Sequence, residues 1–174
     1  MKTIVIGKDE ILEKDVKKLE FLPNELQKMQ FFNPKDVIIG NPSSPLAIGF
    51  IYTWATDFAP KNIRDFMQKI SNYANITGFW RTTNGGRYAF SNILANPNIN
   101  KILILVFDSK DNGHLLADAL VNLWQFGIDE KGIILNSKAS NPKFEQVPNE
   151  ALLRIKEQAD LLVLRRLKET DFDM

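Results

Sequence analysis

The chain contains no cysteine. Disulfides, thiolate nucleophiles, iron–sulfur clusters and cysteine-ligated zinc are therefore excluded within its 174 residues. Histidine is almost absent as well: His114 stands alone. A metal held by two or three histidines cannot be built within one chain. A Ser-His-Asp triad would have to use His114. Excess charge is also lacking, because 22 Lys and Arg against 21 Asp and Glu leave a formal charge of +1. That balance gives no broad electrostatic footprint for duplex nucleic acid or an anionic membrane, although it leaves room for a local basic patch. Long apolar runs are missing too. The opening Met1-Lys2-Thr3-Ile4-Val5-Ile6-Gly7 is too short for a signal-peptide core. The run Leu161 to Leu167 is broken by Arg165 and Arg166, and nothing approaches the roughly 20 apolar residues of a membrane helix. The expectation is a cytoplasmic protein without a membrane span. In that setting the sequon Asn75-Ile76-Thr77 reads as a chance match.

What the chain has is core material. Apolar residues make up 44% of it, and a domain of this length buries about 70% of the surface its unfolded chain exposes. No internal repeat or low-complexity tract interrupts it. Residues 1–39 are rich in Lys and Glu, with a short strand expected at Thr3–Ile6 and a helix after the N-cap candidate Asn24. The turn-forming Gly40-Asn41-Pro42-Ser43-Ser44-Pro45 then divides this N-terminal arm, packed on the main domain, from a body at 40–174.

In the body, apolar runs alternate with helical periodicity. Leu46–Thr53, Ile76–Trp80, Lys101–Phe107 and Gly132–Leu135 read as strands, with Leu161–Leu164 as a closing edge strand. Helices are expected from Pro60 as first helical residue, at Tyr88–Ala95, at His114–Phe126 with Gly127 as its stop, and at Asn149–Ala159. This order predicts an α/β fold: a three-layer, Rossmann-like, mostly parallel sheet with helices on both faces. Ligands in such sheets bind outside the carboxyl ends of the strands, which directs attention to the loops at Thr53–Asp57, Arg81–Arg87 and Asp108–His114.

Three segments carry chemistry. Arg81-Thr82-Thr83-Asn84-Gly85-Gly86-Arg87 joins a strand to a helix start. Its glycines permit close backbone approach, and its free N–H groups and arginines suit an anion or a polar ligand edge. It lacks the P-loop and GxGxxG spacings, and it reads equally as a tight turn with solvated arginines. Asp108-Ser109-Lys110-Asp111-Asn112-Gly113-His114 places the histidine in the first turn of a helix. A neutral imidazole binds metals, and Asp108 or Asp111 could orient it through the other ring nitrogen. Alternatively His114 is a solvated side chain. Gly40-Asn41-Pro42-Ser43-Ser44 is a third candidate, or a plain connection. Asp57 reads as a ligand contact or a helix-initiating acid. Trp54 and Trp80 stand at strand ends where a flat ligand could stack, or where they join the core.

Across roughly Ile39 to Leu162 the sequence resembles the MtrA family, a component of tetrahydromethanopterin S-methyltransferase. The resemblance rests on ordered blocks: Gly40-Asn41-Pro42, Gly85, Asn96-Pro97-Asn98-Ile99 before Lys101–Leu105, Gly113-His114, Leu123 to Gly127 with Ile128-Asp129, then Glu150-Ala151 and Gln158. It implies a Rossmann-like domain that binds a cobalt corrinoid (cobalamin type), with His114 as the lower axial ligand. It also implies a carrier in methyl transfer rather than a complete enzyme, because donor and acceptor sites lie on partner subunits. Cofactor-binding positions would then be His114, Gly113, Asp111, Asp108, Thr82, Thr83, Asn84, Gly85, Gly86 and Arg87. Two other readings stand beside it. One is a pterin-, folate- or nucleotide-binding accessory module with a thymidylate- or folate-pathway partner, in which Arg81 and Arg87 hold phosphate or glutamate. The other is a ligand-free interaction protein.

Overall fold

Two apolar runs, Leu46–Ile51 and Lys101–Phe107, lie side by side as parallel strands from Leu46 opposite Lys101 to Ile51 opposite Val106. Each is apolar on both sides, as a strand covered on both faces must be. The computed structural model describes residues 2–6, 37–51, 59–80, 83, 86–107, 113–139, 142–144 and 147–168. In chain order these form strands β1 (Lys2–Ile6), β2 (Val37–Ile39) and β3 (Leu46–Ile51), helix α1 (Lys61–Ser71), strand β4 (Ile76–Phe79) and helix α2 (Gly86–Ala95). Strand β5 (Lys101–Phe107), helices α3 (Gly113–Phe126) and α4 (Asn149–Gln158) and strand β6 (Asp160–Leu167) follow.

One six-stranded sheet results, in the order β1-β6-β5-β3-β4-β2. Its four inner strands are parallel, and β1 and β2 pair antiparallel at the two edges. This is the expected mostly parallel α/β sheet. Alternation along β3 sends Ile48 and Phe50 to one face and Ala47 and Ile51 to the other. On the first face Ile63 and Met67 of α1 pack over Phe50, Leu105 and Phe107. On the second, buried residues of α2, α3 and α4 cover Ile102, Ile104, Val106, Leu161 and Val163.

Several local expectations shift. Pro60 is the N-cap of α1, with an extended ψ of 149°, so the helix begins at Lys61. The strand expected at Leu161–Leu164 is longer and lies inside the sheet, because β1 covers its outer edge. Gly132–Leu135 is not a sheet strand. It makes a single antiparallel bridge, Ile134 to Ile128. Gly132 and Asn136 take positive φ at either end, and the Asp129 carboxylate accepts bonds from the Lys131 and Ile133 N–H groups. These curl the backbone before a ladder can extend. The helix expected after Asn24 lies outside the described residues.

Candidate functional site

The strand order contains a reversal. The connection through α1 places β4 on one side of β3, and the return through α2 places β5 on the other. Right-handed crossovers running in opposite directions put their helices on opposite faces, as the two core clusters show. The carboxyl ends of β3 and β5 therefore flank a switch point, the place where α/β sheets receive ligands. In sequence these ends are followed by residues 52–58 and by 108–112, the latter leading directly into α3.

His114 is the second residue of α3, and its side chain is exposed. The helix beneath it is anchored by the buried Leu116, Ala117, Ala119, Leu120 and Leu123. The Trp124 indole Nε1 donates to the Ala159 carbonyl at 2.9 Å, tying α3 to the start of β6. An imidazole on so constrained an element is held more closely than one on a loop. One helical turn further on, Asp118 accepts bonds from Ser137 Oγ at 3.1 Å and the Lys138 N–H at 2.8 Å. This carboxylate fastens residues 137–138 to the same helix face that carries His114. Nothing in the spacing of Asp118 and Ser137 announces the contact. The one signal is that Asp118 follows His114 by four residues.

The glycine loop is described in part. Thr83 is half-buried in a short turn. Gly86 opens α2 and is buried, and a Cβ there would overlap the Phe144 ring. The absence of a side chain at Gly86 thus admits Phe144, which packs edge-on against Phe90 at 4.9 Å between centroids. Trp80 joins this cluster at 5.2 Å from Phe90, so it serves the core rather than an open stacking surface. Gly113 is the first residue of α3 and Arg87 the second of α2. Arg81, Thr82, Asn84, Gly85, Asp108, Asp111, Trp54 and Asp57 lie outside the described residues. Among the described residues no cluster of three or more His, Asp or Glu could hold a metal ion, and no helix is long and apolar enough to cross a membrane.

The third sequence candidate sits at the other end of the sheet. Gly40 passes so close to α1 that a Cβ would overlap the Ser71 and Ala74 carbonyls. Its N–H donates to Asn75 O, and the Asn41 N–H donates to Ala74 O. The buried Asn75 amide donates to the carbonyls of Pro42 at 2.7 Å and Ser44 at 3.2 Å. Its oxygen accepts from Asn96 Nδ2 at 2.9 Å. Gly40-Asn41-Pro42 is therefore a structural connection at the amino ends of the strands.

The profile of the MtrA family, the MtrA subunit of tetrahydromethanopterin S-methyltransferase, matches residues 35–172. The chain belongs to this family. Among its MtrA relatives, the first-numbered MtrA protein of the methyltransferase from Methanothermobacter marburgensis is 29% identical over 138 residues, covering 78% of this chain and 53% of that protein. The MtrA protein from Methanosphaera stadtmanae is 30% identical over 129 residues, covering 73% of this chain and 47% of that protein. The MtrA protein from Methanohalophilus mahii is 34% identical over 92 residues, covering 52% of this chain and 37% of that protein. The chain thus spans about half the length of the curated MtrA proteins it matches.

The blocks that mark the chain as MtrA-like divide between the two ends of the sheet. Gly40-Asn41-Pro42, Asn96 and Gln158 converge at the amino ends. There the Gln158 amide nitrogen donates to the carbonyls of Ile93, Asn96 and Ile99. Gly113-His114 stands at the carboxyl ends.

Proposed function

We propose that this chain is a corrinoid-carrying component in methyl transfer, with His114 as the axial ligand to cobalt. The observation that carries the reading is the placement of that imidazole: exposed, in the first turn of an anchored helix, beside the reversal in strand order. An axial ligand needs a ring nitrogen that a flat macrocycle can reach, and an exposed side chain at a helix start meets that requirement. Membership of the MtrA family supports the methyl-transfer role. The carrier would work in the cytoplasm beside a methyltransferase partner that holds the donor and acceptor sites, and would not be a complete enzyme alone.

A bound corrinoid supplies a cobalt centre that accepts and releases a methyl group. The chain's own residues do the holding. His114 would supply a ring nitrogen to the metal, and Asp108 or Asp111, which precede it in sequence, would be the candidates to orient the ring through its other nitrogen. Thr82, Thr83, Asn84 and the backbone of Gly85, Gly86 and Gly113, with Arg87, would be the groups to hydrogen-bond the amides at the macrocycle rim. The buried face of α3 would hold the helix that carries His114 in place.

Mixing purified protein with hydroxocobalamin tests the reading. A change in the visible spectrum is expected, and His114→Ala abolishes it. An unchanged wild-type spectrum overturns the proposal. If instead a pterin or nucleotide binds, Arg87→Ala weakens it while His114→Ala has little effect.

A further inference from the structure

The irregular segment between α3 and α4 comes back along α3 toward the end that carries His114. Its first anchor is at the far end of that helix, where the Leu135 N–H donates to the Gly127 carbonyl at 3.1 Å. Asn136 then takes a φ of 58°, a left-handed conformation that turns the chain. The second anchor lies well up the helix, where the Asp118 carboxylate accepts from Ser137 Oγ at 3.1 Å and the Lys138 N–H at 2.8 Å. Ser137 Oγ in turn accepts the Ala139 N–H at 3.3 Å. The third anchor is Phe144, buried against Gly86 at the start of α2. Helices α2 and α3 both follow strands of the parallel sheet, so both begin at its carboxyl end. The anchors at Asp118 and Gly86 therefore bracket the mouth on the face that these helices cover.

This arrangement sets Lys138 beside His114. Residues 114 and 118 share a helix face, with Cβ atoms about 5–6 Å apart. Helical side chains lean toward the N-terminal end, so the Asp118 carboxylate leans toward His114 and carries the Lys138 backbone with it. The Lys138 side chain is exposed, and its ammonium has no ion-pair partner among the described residues. A lysine holds its charge on a flexible four-carbon stem, long enough to cross one helical turn. With its backbone already fixed by the carboxylate, less freedom remains to be lost when it meets a ligand.

We infer that Lys138 is a ligand contact of the His114 site, donating to an amide carbonyl at the rim of the corrinoid, and that Asp118 is the positioning residue that keeps it there. This contact rests on the reading of His114 as the axial ligand. It adds to that reading a charged donor on the side of the mouth away from the glycine loop and from Asp108 and Asp111.

Hydroxocobalamin titrations of the full chain, followed by the visible spectrum, read the affinity and the bound spectrum separately. Lys138→Ala should weaken binding about tenfold and leave the bound spectrum as in the wild type, because His114 still ligates. Its melting temperature should not move, since the side chain is exposed. Lys138→Arg, which keeps a charged donor, should restore most of the affinity. Asp118→Ala should weaken binding to a similar extent by releasing the same segment, and Asp118→Asn, which keeps an acceptor oxygen, should recover much of it. Hydroxocobalamin should also shift the Lys138 amide resonance of the wild-type chain in NMR spectra. Equal affinities of wild type and Lys138→Ala, with both spectra responding, overturn the contact and leave the axial-ligand reading standing. A wild-type spectrum that does not change overturns both.

Discussion

Two side chains on one face of α3 divide the work between chemistry and architecture. His114 is exposed, so its removal leaves no cavity in the core. His114→Ala should change stability by no more than about 0.5 kcal/mol while eliminating the response to hydroxocobalamin, a contrast that thermal melts and spectra on the same sample reveal. Asp118 is the opposite case. Its carboxylate accepts two bonds that hold residues 137–138 against the helix. Asp118→Ala should cost about 1–2 kcal/mol in urea denaturation. Asp118→Asn, which keeps an acceptor oxygen, should recover much of that loss.

At the level of elements, the amino end of the sheet is built from polar side chains that close loops, where a sequence reader expects only turns. Gln158 reaches from the end of α4 to three carbonyls of the segment leading from α2 into β5. Two of those carbonyls, of Ile93 and Asn96, also accept the Asn96 and Ile99 N–H groups at the helix end and the turn that follows, so the Gln158 amide is a second donor to them. Gln158→Ala removes the side-chain donor that ties these carbonyls to α4 and should cost about 1 kcal/mol, measurable as a lowered urea midpoint. Because this network lies at the far end of the sheet from His114, the same variant should keep its full spectral response to hydroxocobalamin. A loss of that response would show that the two ends are coupled.

For the molecule as a whole, the sheet is covered unequally. The described helices place α1 on one face and α2, α3 and α4 on the other. The larger cluster is completed by Phe144, fully buried though it belongs to no helix or strand, wedged against Gly86, Trp80 and Phe90. A ring from an irregular segment thus joins three parts of the chain. Phe144→Ala should cost about 3–5 kcal/mol, read as a cooperative loss of stability in denaturant. Gly86→Ala forces the same ring to move and should destabilise in the same direction.

The chain's own pattern determined the parallel body. Buried strands read as continuous apolar runs, the helices between them carry apolar residues at helical spacing, and Gly127 stops α3 with a φ of 81°. Those are local signals, and they placed β3, β4, β5 and three of the helices close to their observed ends. They also set His114 at the start of a helix after the strongest strand. Tertiary structure alone decided the rest. Pairing partners settle whether a strand is an edge, so β6 became interior once β1 joined it. Residues 129, 132 and 136 turned an apolar run into a single bridge. Contacts across 19 or 20 residues, such as Asp118 to Ser137 and Lys138, leave no periodic trace in a sequence. Nor does the meeting of Gly40, Asn75, Asn96 and Gln158, because such polar closures depend on where folded loops arrive rather than on the spacing of residues along the chain.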